Sequence, residues 1–392
     1  MAASLPWSTS ATSILLVGWL LTLIATLDVA MLRREVMTAA GGLPILLWLL
    51  AVLGVLWAGV NWAERLAGLE GFQRLLAIPL LLAQFRRSKK GMCVVYGFFI
   101  SCLLLLAASW AVLLGPAWLN PHQVRGIPVK DAISQSTVCL ICACALIWRV
   151  CDLLRARAWW PALGFAGLAH LFIANVLFVA MSRADVAVAA VLALLLGWRQ
   201  FRWKGIITAC VAGGVLAAVG WTSSSYLQLR VTSAIEDVQT YRATGAGTDI
   251  GDHIEFFGKS LSFVRDAPLF GHGTGSISDQ FRRSAIGKTG AAGVVSANPH
   301  NQILAVAIQL GLLGAGLLLV MWLAHYLLFR AMGLASWIGT VVVVQNVVSS
   351  LTSSHLFDFM QGWLYVFGVG VIGGMVLRDA SPALTPAATS GD

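Results

Sequence analysis

Residues 294–329 read VVSANPHNQILAVAIQLGLLGAGLLLVMWLAHYLLF. From Gln302 to Phe329 this stretch carries no Asp, Glu, Lys or Arg. It is as long as a helix needs to be to cross a bilayer. Asn298 and Pro299 suit the start of that helix, so His300 falls where a polar segment enters the membrane. The rest of the chain repeats the theme. Of its 392 residues 58% are hydrophobic and 11% are charged, about half the charged fraction of a water-soluble domain. The expected fold is an all-α polytopic membrane protein of about 11–12 transmembrane helices.

Eleven spans are predicted, at about 11–30, 43–60, 72–85, 92–114, 132–151, 160–181, 184–198, 205–221, 302–329, 334–351 and 360–377. The third and seventh are short for a full crossing. Charge sets the orientation. With the N-terminus outside, the cytoplasmic connections hold 14 Lys/Arg and the short outer ones hold five: Arg65, Arg74, Arg125, Lys130 and Arg183. This is the positive-inside pattern. It accounts for the net charge of +9 without nucleic acid, because the basic residues lie in short clusters between apolar runs.

The seven cysteines lie in spans or at their cytoplasmic ends, which indicates no disulfide framework. Cys139, Cys142 and Cys144 are spaced around a helix with no histidine nearby, so small-residue packing explains them better than metal does. The N-terminus lacks the basic n-region of a cleavable signal, and its apolar stretch is long enough to span.

Four parts follow: helices in 1–221, a long loop in 222–300 on the non-cytoplasmic side, helices again in 301–378, and a short cytoplasmic tail in 379–392. The loop reads as partly helical. Ile254, Phe257, Leu261 and Val264 stand at helical spacing, and glycine-rich breaks occur at 245–247, 271–275 and 287–293. A loop this long in a compact membrane protein is usually functional. No internal repeat of the transporter kind is apparent.

Chemistry-bearing residues concentrate on that side. His300 reads either as an interfacial histidine without a role or as a neutral base, since helix N-termini depress histidine basicity. Arg183, in Met181-Ser-Arg-Ala-Asp185, either pairs with Asp185 or binds a phosphate at the outer face. His253, Arg265, His272, Arg282, Arg283 and Lys288 add cationic capacity, but seven acidic residues in the loop offset it. Gly271–Gly275 does not match a phosphate-binding loop. Asp249 and Asp252 are the closest pair of loop aspartates, so no metal site and no cofactor are expected. His170 and Asn175 are expected to bond neighbouring helices, and His325 to reach toward the cytoplasmic face. His355 and Asp358 are candidates to line the same cavity as His300.

Three segments resemble the O-antigen ligase and polymerase superfamily: Ser182-Arg-Ala184; Asp266-Ala-Pro-Leu-Phe-Gly-His-Gly-Thr-Gly275; and His300-Asn-Gln-Ile-Leu304 followed by Gly311-Leu-Leu-Gly314. The first looks like the arginine that follows a long apolar span, the second like the family's P-L-x-G-x-G turn, and the third like its H-N-x-x-L … G-x-x-G. The resemblance implies a membrane glycosyltransferase fold of the GT-C-like type. It implies glycan transfer from undecaprenyl diphosphate to lipid A–core oligosaccharide at the periplasmic face of the inner membrane, among membrane lipids. It implies His300 as base, Arg183 and Arg265 or His253 on the diphosphate, and substrate contacts from His272, Arg282, Arg283 and Asn301. Where the family usually has an arginine before the second loop helix's aromatic, this chain has His253 before Phe257. O-antigen polymerase and protein O-oligosaccharyltransferase are rivals with the same chemistry. A solute transporter, which would need ionisable groups and broken helices at mid-membrane, is the rival of another class.

Overall fold

A computed structural model describes residues 1–116, 126–180, 182–223 and 225–380. Of a few helical residues within this range, Arg183 and Arg230 among them, only the backbone is described. Arg125 and residues 381–392 of the expected tail lie outside it. The described residues form helices and no strand. In chain order these are α1 (Thr9–Thr26), α2 (Val29–Val36), α3 (Ala39–Gly54), α4 (Trp62–Gln73), α5 (Ala77–Arg87), α6 (Gly91–Leu114), α7 (Ala132–Arg155), α8 (Trp159–Phe178), α9 (Arg183–Ser223), α10 (Ser225–Thr244), α11 (Asp249–Asp266), α12 (Ile277–Ala285), α13 (Gln302–Leu328), α14 (Leu334–Ser349), α15 (Phe359–Phe367) and α16 (Gly373–Asp379).

Eight helices among the described residues are long and apolar enough to cross a membrane, and α2 with α3 forms a further pair bent by 81°. The expected short third span is full length: α4 and α5 join through one 3₁₀ turn into a single 26-residue helix. The short seventh is one arm of α9. At Arg202 the backbone leaves the helix (φ 56°, ψ −141°), and a Cβ placed on Gly197 would lie 2.5 Å from the Gly205 carbonyl oxygen. Eight residues of straight helix would separate these positions by roughly 12 Å. The chain therefore doubles back, glycine against glycine. With the bent pair, the shorter apolar α14 and the two arms of α9, the eight become the eleven expected segments.

Contacts between distant segments fit alternate threading. On one side Arg87 pairs with Asp28 (2.9 Å), Arg378 donates to the Ser88 carbonyl (2.7 Å) and Arg199 to that of Phe329 (2.7 Å). On the side of the long loop, Lys130 reaches the Leu5 carbonyl (2.5 Å) and Arg282 pairs with Glu64 (2.9 Å).

The main core joins α3, α5, α7, α14 and α15, with Phe72, Trp337 and Tyr365 fully enclosed. Cys102, Cys139, Cys142 and Cys144 pack within it. A second, smaller core joins loop to bundle: Phe256 and Phe263 of α11, Ile277 and Phe281 of α12, and Ala305 and Ile308 of α13. The helical spacing in α11 is as expected. Phe256, Ser260 and Phe263 are buried while Ile254, Phe257 and Leu261 are exposed. Asn175 does bridge helices, bonding Gln135 (2.9 Å) and Ser109 (2.7 Å). His170 is exposed on α8. His325 does not reach for the surface: it is fully buried between the Tyr365 hydroxyl (2.5 Å) and the Ala40 carbonyl (2.8 Å).

Candidate functional site

The site begins where α13 begins. The helix starts at Gln302, and Asn301 caps it by accepting the Leu304 N–H at 3.0 Å. The same carboxamide donates to the Leu351 carbonyl (3.2 Å). Asn301 therefore ties the scaffold together with both ends of its carboxamide. Just before it, His300 adopts φ +54°, a left-handed backbone that costs a non-glycine residue on the order of 1–2 kcal/mol. Asn298 holds it there. Its Oδ1 accepts the His300 N–H (2.8 Å) and the Ser354 hydroxyl (2.7 Å). The turn after α14 is stapled on from below, with Gln302 N–H to the Ser350 carbonyl (2.9 Å) and Leu356 N–H to Gln302 Oε1 (2.9 Å).

This clamp presents the imidazole to α11. Phe256 stacks on it (centroids 5.7 Å apart, planes 10° apart) and His253 meets it edge-on at 4.2 Å. Among the described residues the ring itself makes no hydrogen bond to protein. Burial, and next the neighbouring His253, push the His300 pKa below its usual 6.5. Desolvation thus leads where the helix dipole was expected to, toward a neutral ring able to accept a proton. Asp358, Asp249 and His355 lie within electrostatic reach of it. His355, buried, bonds Asp358 through Nδ1 (2.8 Å). Arg74 donates to the Asp358 carbonyl, a placement its sequence position among outer charges did not signal.

Arg183 opens α9, and its side chain lies outside the described residues. Asp185, its suggested partner, is buried and held by the hydroxyls of Ser136 and Thr137. The remaining expected contacts scatter. Arg265 is exposed in the last turn of α11, twelve residues beyond His253 and so roughly 18 Å further along the axis; the helix does not bring it to His300. His272 anchors the loop, its Nε2 meeting the Phe263 carbonyl at 2.8 Å. Arg282 is paired with Glu64 and Asp279, and Arg283 with Asp279 (2.7 Å).

The glycine segment also serves the scaffold. Gly271, Gly273 and Gly275 all have positive φ. The five amides from Gly271 to Gly275 go in turn to the carbonyls of Ala267, Ile308, Gln309 and Gly54 and to Gln309 Oε1, at 2.8–3.1 Å. None remains for a phosphate. The segment plugs a break in α13, where Gly311 (φ 66°, ψ −167°) lets the carbonyls of Pro268 and Leu269 accept the Leu312 and Leu313 amides (2.7 and 3.4 Å). The expected continuous span over 302–329 is thus broken. Protein fills the gap, and the surrounding α13 carries no Asp, Glu, Lys or Arg.

An all-helical polytopic membrane protein, with a histidine site clamped between its long loop and its closing helices, is the class these features define. Residues 168–319 match the family model described as O-antigen ligase. The match runs from α8 through the first part of α13 and takes in Arg183, His253 and His300. That match, over part of the chain, supports a protein of the O-antigen ligase kind and implies a glycosyltransferase-type enzyme of the ligase and polymerase superfamily. A comparison with curated proteins gives no match.

Proposed function

We propose that the protein is an O-antigen ligase: a metal-independent, inverting glycosyltransferase that moves a glycan from undecaprenyl diphosphate to lipid A–core at the periplasmic face of the inner membrane. The carrying observation is His300, strained in its backbone, clamped by Asn298 and Ser354, and kept neutral by burial. An uncharged imidazole beside the membrane boundary can take the proton from an acceptor hydroxyl. The hydroxyl oxygen bonds to the anomeric carbon as that carbon's bond to the diphosphate oxygen breaks. The diphosphate leaves with the electron pair, and single displacement inverts the centre. Arg183 is the cation proposed for the developing negative charge, since arginine matches phosphate through two parallel donors. His253, 4.2 Å from His300, fits the second diphosphate contact better than the distant Arg265.

On this reading the chain divides into the four parts given above, with residues 222–300 as a cover completing a site built at the helix ends. Transfer of a polyprenyl-diphosphate glycan to purified lipid A–core by the reconstituted protein tests it. Transfer only to a second lipid-linked repeat would make it a polymerase instead.

A further inference from the structure

The turn that plugs α13 has a second face. Leu269 and Phe270 are 65% and 57% exposed although both are large and apolar. Their backbone position is fixed from both sides. The Pro268 and Leu269 carbonyls hold the Leu312 and Leu313 amides. Phe270 meets Trp57 edge-on at 6.3 Å, just beyond the end of α3.

Helix lengths give the level. The 16 residues of α3 rise roughly 24 Å and those of α13 after Gly311 roughly 26 Å, against a hydrocarbon layer about 30 Å thick. Gly54 and Gly311 therefore stand close to the loop-side edge of that layer. Around them Leu56, Trp57, Leu312 and Leu313 are exposed too, and the exposure runs on down α13 through Leu319, Val320 and Leu323. A tryptophan at the rim of an apolar surface marks the bilayer boundary. A patch this apolar is not left to water. The Pro268 and Leu269 carbonyls and the Gly271 amide find their partners within the protein, as backbone at the edge of the hydrocarbon layer must.

We infer that Leu269 and Phe270 form a wedge inserted into the loop-side leaflet, with lipid acyl chains as its partner. The wedge pins the C-terminal end of α11, whose first turns carry His253 and Phe256 against His300. The bilayer thereby sets the height of the site. This inference rests on the fold and not on the reaction proposed above.

Leu269→Cys, Phe270→Cys and, as a water-exposed reference on the same loop, Lys288→Cys are made in the full chain. Each is placed singly in lipid nanodiscs and treated with a charged, membrane-impermeant maleimide, with the unsubstituted protein as blank. Labelling at 269 and 270 is expected on the order of tenfold slower than at 288, as for a side chain held below the interface. After denaturation all three should label alike. Equal rates in nanodiscs would overturn the wedge. So would protection seen in cells but lost in nanodiscs holding one copy, which would point to a protein covering the patch. Should a cysteine variant fail to insert, the Trp57 fluorescence, taken by difference from Trp57→Phe, is expected to be quenched by lipids brominated near the headgroup. Its indifference to them would overturn the wedge as well.

Discussion

Two irregular segments meet α13, and they are built to opposite ends. Gly271–Gly275 consumes every backbone amide it has in plugging the break at Gly311. The turn at 298–302 is held by side chains as well, Asn298 and Asn301, and leaves an imidazole that makes no hydrogen bond among the described residues. Both carry sequence that resembles family motifs, yet one is scaffold and the other offers chemistry. A motif rich in glycine at a loop–helix junction does not by itself mean an anion cradle; the destination of its amides decides.

The largest effect should come from breaking the scaffold. A Cβ on Gly311 would lie 2.2 Å from the Leu269 carbonyl oxygen, in a backbone region hostile to side chains. Gly311→Val is expected to abolish folded protein in membranes, measured as detergent-extractable monodisperse material. His300→Ala should do the reverse, leaving yield unchanged and lowering transfer on the order of a hundredfold or more. Normal transfer by that variant would remove His300 from the mechanism. Asn298→Ala falls between, losing about 1–3 kcal/mol from two unsatisfied groups and lowering both thermal stability and turnover.

Smaller effects sharpen the comparison by pH. Because burial and His253 hold the His300 pKa below 6.5, the neutral base persists under mildly acidic conditions. The acid limb of kcat/KM should lie below 6.5, and His253→Gln should move it upward. The same group makes stability fall as pH drops below 6.5 toward the folded value, since the unfolded chain protonates first. Above that range it contributes nothing. Least of all, Arg265→Ala is expected to leave kcat within a few-fold of wild type if His253 supplies the second diphosphate contact. A large loss of kcat would return that part to Arg265.

Much of the fold was legible because bilayer crossing is a length and charge problem, and apolar runs with Arg and Lys between them state both. The exceptions are tertiary. Which face of α11 is buried depends on Ala305 and Ile308 waiting in α13, which periodicity alone does not reveal. His325 reads as polar near a helix end, but only the fold supplies Tyr365 and the Ala40 carbonyl around it. At the site, the position of His300 at a membrane entry was readable from Asn298-Pro299-His300. The stacking by Phe256 on His300 and the grip of Ser354 on Asn298 were not, since they bring together residues 44 and 56 positions apart.

That grip has a consequence for how the protein comes to life. Asn298 takes its second hydrogen bond from Ser354, and Gln302 takes the Leu356 amide, so the pocket closes only when the turn after α14 is in place. His300 is synthesised 54 residues before Ser354, so the imidazole emerges without its clamp and the pocket forms only once the turn after α14 has been threaded.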